Sequence, residues 1–218
     1  MQTIESFFEL IKHGGLMMVP LLISAFIGLT IIFERGYMLK KTFFLPENIK
    51  EKLRADLSAS NRGDRQALVV QAKEIAKVHA RSPVAQVVRI GLENVAAAPE
   101  DVERLMANEA QRWIPLLEKR LEILDTIITA APLMGLLGTI TGMMASFKVL
   151  SEKGVNEPNA ITGGVAEALI ATASGLVIAL ICLLAYNYFS AVVKEYITSM
   201  EEMANLLLEA KGGKRNEN

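Results

Sequence analysis

Three uncharged apolar runs, residues 16–33, 126–147 and 168–193, decide what this chain can fold into; they are 18, 22 and 26 residues long. Each meets the roughly 18–20 residues that a helix needs to cross about 30 Å of hydrocarbon at ~1.5 Å per residue. One such run could be a buried core helix, but three in 218 residues make a polytopic membrane protein. The mean hydropathy of +0.32 agrees, and an aromatic share of 6% suits helices better than a β sandwich. Where a cleavable signal would be basic, the amino terminus carries Glu5 and Glu9. No Ala-x-Ala site follows the first run, which closes on Glu34-Arg35. It reads as a retained span, with Glu34 and Arg35 as its interface anchor.

The connecting segments read as helical too. Ile4, Phe7, Phe8 and Ile11 oppose Glu5, Glu9 and Lys12, which predicts either a short amphipathic helix in the interface or an extension of the first span. From residue 37 to 120 the character is that of a soluble helical domain. Helices are expected from Pro46-Glu47, from Asp64 as an N-cap, and from Ser82-Pro83 to about Ala96. A last one starts at Pro99-Glu100-Asp101, with two acids in its first turn. It has no evident stop before Phe147, so a helix of ~50 residues and ~75 Å is expected, with Pro115 and Pro132 as candidate kinks. Basic residues set the orientation. Lys40, Lys41, Lys50 and Lys52 follow the first span and Arg112, Lys119 and Arg120 precede the second, while 151–159 holds Lys153 against Glu152 and Glu157. Positive-inside puts the 37–120 domain and the tail in the cytoplasm, and the 151–159 loop and the amino terminus outside.

The expected layout is therefore an all-α membrane protein with three transmembrane helices and a cytoplasmic helical domain. It divides into an interfacial helix (1–15), spans at 16–36, 121–150 and 160–193, the domain (37–120), the outer loop (151–159) and the tail (194–218). Cys182, the single cysteine, lies in the third run and allows no intrachain disulfide. An enzyme is disfavoured: His13 and His79 are far apart, and no glycine-rich phosphate loop or metal-ligand cluster occurs. Neither a metal nor another cofactor is expected. The net charge of −1 says nothing about nucleic acid; with no basic tract in the sequence, no nucleic-acid partner is expected.

The second span carries small and hydroxyl residues where a lipid anchor would need none. Pro132, Gly135, Thr139, Gly142 and Ser146 recur at steps of 3, 4, 3 and 4, one face of a helix. Such a face serves a closely packed helix or the wall of a pore. In the third span Ala168, Thr172, Gly175, Ala179 and Cys182 step by 4, 3, 4 and 3. Each threonine has two readings: a hydroxyl bonded to its own i−4 carbonyl, or a pore lining. Glu167 lies off the small-residue face and shares one with Ala171, Ser174 and Ile178. A carboxylate in a span costs roughly 2.5–3.5 kcal/mol at the bilayer centre and less near the surface. It is either an ion-path residue or an inter-subunit contact.

Several of these motifs together resemble a known family. They are Glu34-Arg35 closing the first span, Ala131-Pro-Leu-Met-Gly-Leu-Leu-Gly-Thr139, Gly142-Met143 with Phe147, and Gly164-Val-Ala-Glu-Ala-Leu-Ile-Ala-Thr-Ala-Ser-Gly-Leu176. The chain is similar to the MotA/TolQ/ExbB proton-channel family, on its ExbB/TolQ branch. That resemblance implies an inner-membrane homopentamer whose second and third spans surround a lumen. It also implies a dimer of an ExbD/TolR-like single-span partner within that lumen, and a TonB- or TolA-like protein that receives the motion. Protons are the implied cargo, passing by an aspartate on the partner. Thr139 and Thr172 match the family's lumen-facing threonines and Glu167 its third-span glutamate. Many members have a proline late in the third span, where Leu180-Ile181 stands here. Within the residues themselves, Glu167 is the only ionisable group well inside a span. One carboxylate and two threonines per chain are too few to relay protons alone. The alternative is a non-conducting scaffold that holds a partner helix.

Overall fold

In a computed structural model, which describes residues 15–39, 51, 55, 81–153 and 158–212, every described element is helical. In chain order these are α1 (Met18–Tyr37), α2 (Pro83–Glu93), α3 (Pro99–Glu118), α4 (Leu121–Lys153) and α5 (Pro158–Gly212). The amphipathic helix expected near Phe7, the helix expected from Asp64 and the basic run after Leu39 lie outside the described residues, as does the helix expected from Pro46 apart from Glu51 and Ala55, both helical. Among the described residues, three helices are long and apolar enough to cross a membrane: α1, the stretch carrying α4, and α5. At 55 residues α5 is about 82 Å long, so a membrane takes up less than half of it.

The chain divides into two units. The first comprises Met1–Glu34 and Arg120–Tyr188, and the second Arg35–Lys119 and Phe189–Asn218. In the second unit, α2 begins with Pro83 at its first turn after an extended Ser82, where a missing N–H costs nothing. It ends at Glu93 rather than near Ala96. Asn94 there turns its side-chain Nδ2 back to the carbonyl of Ile90 at 2.9 Å. Val84, Val87, Val88 and Leu92 are buried on α2, Val102 and Met106 on α3. Gly91 admits the sulfur of Met106, which would lie 2.5 Å from any Cβ there, with Leu207 of α5 close behind at 3.1 Å. The rest of the core comes from α5, where Phe189, Val193, Tyr196, Met200, Met203 and Leu207 are buried at alternating steps of four and three. Tyr196 donates its hydroxyl to the carbonyl of Leu39 at 2.9 Å and ties down the end of α1.

The expected unbroken helix from Pro99 to Phe147 does not form. Both α3 and α4 run through their prolines, but Lys119 is extended (φ −46°, ψ 131°) and Arg120 is left-handed (φ 64°). These are the central angles of a type II-like turn. Nothing in Leu116-Leu-Glu-Lys-Arg-Leu121 is a helix breaker, and a left-handed non-glycine residue costs ~1–2 kcal/mol. Tertiary partners therefore make the break. Within the first unit, the Arg120 guanidinium donates to the Glu34 carboxylate. Within the second, Arg35 is 1% exposed. Its Nη1 donates to the carbonyls of Leu116 and Leu117 at 3.3 and 3.4 Å. Those carbonyls belong to the last turn of α3, where no intrahelical donor remains, and the positive charge meets the negative end of the helix dipole.

Arg35→Ala removes that cap and should destabilise the protein by about 2–3 kcal/mol, read as a lowered Tm in detergent. Arg35→Lys should recover only part of the loss, because an ammonium lacks the planar fork.

Candidate functional site

Between lipid tails there is little hydrophobic drive for two helices to associate, so α4 and α5 are held by close van der Waals approach. Glycine makes that approach possible. A Cβ on Gly135 would lie 2.9 Å from the Thr172 Cα, and one on Gly142 would lie 2.8 Å from the Gly164 carbonyl oxygen. On the other helix, a Cβ on Gly175 would lie 2.5 Å from the Ala131 carbonyl oxygen. The contacts advance on α4 as they recede on α5, so the pair is antiparallel. Thr172 adds a bond across the seam, its Oγ1 donating to the Gly135 carbonyl at 2.8 Å.

The buried seam differs from the expected small-residue face by one residue at several places. On α4 it is Ala131, Gly135, Gly138, Gly142 and Ser146; Pro132 and Thr139 are half-buried beside it. On α5 it is Ala168, Ala171, Gly175, Ala179 and Cys182, with Thr172 half-buried at its edge. Small residues stand at both alternatives, Ala131 next to Pro132 and Gly138 next to Thr139, so period alone could not choose between them. Volume does choose: at the seam, backbones come within contact distance and only small side chains, glycine and alanine at the closest points, fit. Neither threonine bonds to its i−4 carbonyl. Thr139 donates to Leu136, three residues back, at 2.6 Å, and Thr172 bonds across helices.

One side of this hairpin is occupied by α1 and the segment leading into it. Gly28 of α1 lies against the Sγ of Cys182, 2.8 Å from the position of a Cβ, and near Ile127 at 3.6 Å. Gly138 and Ala171 meet beside Met17. Glu167 is on this side as well, half-buried, with its carboxylate against Gly15 just before α1. Gly15 is left-handed (φ 69°), and no side chain would fit beneath the carboxylate. Thr139 and Thr172 are the residues after Gly138 and Ala171, about 100° further round their helices. In an antiparallel pair, equal rotation in the same sense leads to the same side. Both threonines thus flank the hairpin on the side away from α1, opposite Glu167.

Around the threonines and on the outer faces, large apolar side chains stay exposed, among them Phe26 at 73%, Phe147 at 67% and Leu184 at 64%. Such surfaces suit lipid or further protein. Lys148 pairs loosely with Glu152 at 4.0 Å, at the far end of α4. Among the described residues no group of three His, Cys, Asp or Glu side chains converges as a metal site.

The protein-family model described as the MotA/TolQ/ExbB proton channel family matches residues 79–202. Among curated proteins, the chain is 32% identical to "Putative biopolymer transport protein ExbB-like 3" of Synechocystis sp., over 87% of both chains. It is 30% identical to "ExbB-like 1" of the same organism, over 96% of this chain and 88% of that one. It is also 37% identical to "Tol-Pal system protein TolQ" of Pseudomonas aeruginosa, over 51% of this chain and 50% of that one.

Gly175→Ala forces α5 away from the Ala131 carbonyl and should cost about 1–3 kcal/mol. Thr172→Val loses only the cross-helix bond and should cost about 0.6 kcal/mol. Thermal unfolding of the two variants in the same detergent should rank them in that order.

Proposed function

Because the chain belongs to the MotA/TolQ/ExbB proton channel family, on its ExbB/TolQ branch, we propose that it is the channel-forming subunit of an inner-membrane motor driven by the proton motive force. The observation that carries this reading is the common flank of Thr139 and Thr172. The two half-buried threonines stand on adjacent spans on the side away from α1, beside exposed aliphatic side chains such as Leu136 and Leu169. A homopentamer that turns this side inward has α4 and α5 around its lumen and α1 at its rim. A dimer of an ExbD/TolR-like single-span protein occupies that lumen, and a TonB- or TolA-like protein takes up the motion in outer-membrane import or envelope maintenance.

Protons are the cargo in this reading, and no resident cofactor takes part. The hydroxyls offer hydrogen-bonding positions to water, but a hydroxyl does not titrate near neutral pH. The partner therefore supplies an acid, an aspartate on its own span. Glu167, on the side of α1, holds α5 to the start of the first span, and its position opposite the threonines supports a structural role over a relay. The proposed orientation has the amino terminus and the 151–159 loop in the periplasm, with residues 37–120 and the carboxy-terminal tail in the cytoplasm.

Liposomes containing this chain and an ExbD/TolR-like partner should acidify under an imposed gradient, beyond liposomes lacking the partner. Thr139→Val should slow that flux severalfold while the oligomer on a native gel is unchanged. Flux equal to the partner-free control would favour the non-conducting scaffold, and flux unaffected by both Thr139→Val and Thr172→Val would remove the threonines from the lumen. Glu167→Gln should lower thermal stability more than it lowers flux per assembled oligomer; the reverse would return Glu167 to the ion path.

A further inference from the structure

In an uninterrupted helix the N–H of Arg120 would donate to the carbonyl of Leu116, and that of Leu121 to the carbonyl of Leu117. Arg35 donates to those same two carbonyls. The buried guanidinium thus stands in for the two backbone donors whose arrival would join α3 to α4. We infer that the α3–α4 junction is a two-state helix switch, held broken by Arg35 and closing into a continuous helix when that side chain withdraws.

Three observations carry the inference. First, the broken state is opposed by its own sequence: residues 116–121 are all ordinary helix formers, and Arg120 is left-handed without being glycine. Second, the latch is incompletely satisfied. Both bonds from Arg35 are long, and its Nε, buried, has no partner among the described residues. A buried donor in that state raises the energy of the form that contains it. Third, the other support of the turn, the Glu34–Arg120 ion pair, is partly exposed, with the side chains at 28% and 42%. Water screens such a pair, so it cannot hold the turn without Arg35. The inference goes beyond the channel reading and stands whether or not the chain conducts protons.

Amide hydrogen exchange of the full chain in detergent, followed in peptides spanning 116–124, tests it. Arg120→Ala and Arg120→Gly both remove the ion pair, but only alanine penalises the left-handed angle. Exchange at 120–122 should be roughly fivefold slower in the alanine variant than in the glycine variant. Arg35→Gln should slow exchange at the same amides relative to the unmodified chain, with α2 and the first turns of α3 unaltered. Equal exchange in the Ala and Gly variants would overturn the inference, as would faster exchange at 120–122 alone in Arg35→Gln. Should Arg35→Gln raise exchange throughout 81–118, it has lost its fold, and the two Arg120 variants, altered at an exposed position, decide the matter.

Discussion

Lipid tails are as apolar as leucine, so a pair of spans gains little from burying leucine against leucine and must be held by contact at backbone distance. The first unit depends on that constraint at the seam between α4 and α5. Glycine at 135, 142 and 175 lets each main chain touch the other helix, and Ala131, Ala168 and Ala171 fill what space is left. Once the backbones are this close, Thr172 is within hydrogen-bonding reach of the Gly135 carbonyl, and the register of the pair is settled. Large side chains have no room at the seam and are directed outward. The same geometry assigns the sides: α1 packs near Gly138, Ala171 and Cys182, and the threonines are left to the other flank.

Glu34 and Arg35 illustrate how adjacent residues at a span end can serve different ends. Consecutive side chains on a helix point about 100° apart. Glu34 turns to Arg120 and is paired within the first unit, partly in solvent. Arg35 turns into the second unit and is buried on the final carbonyls of α3. A buried cation is tolerable there because helix-terminal carbonyls lack intrahelical donors and lie at the negative end of the dipole. The two halves of the dipeptide make structural contacts of unequal depth.

Much of this was legible in the sequence for a physical reason. Crossing hydrocarbon demands length and uniform apolarity, and both are read directly from residue order. Helix type follows, because backbone groups in lipid must be satisfied within their own segment. Local chemistry also served well at Pro83 and Pro99, where proline opens each helix and, at Pro99, two first-turn acids follow. It served less well at Glu93, where a side-chain bond from Asn94 stops α2 early, and it failed at Lys119-Arg120. There, every local preference is for helix, and the interruption is imposed by Glu34 and Arg35, more than 80 residues away.

What the residue order determined alone was the number of spans, the all-helical class, and the presence of a small-residue face with hydroxyls on both later spans. What only the tertiary structure decided was which of two neighbouring small residues is buried at each turn. Ala131 and Gly138 lie in the seam while Pro132 and Thr139 flank it, and Ala171 displaces Thr172 to the edge. Periodicity along one helix has a tolerance of about one residue, or about 100°, and both alternatives here are small. The choice depends on the steric fit of a second helix and on the side taken by a third. Neither can be read from the spacing along one span, because each is a property of the pair.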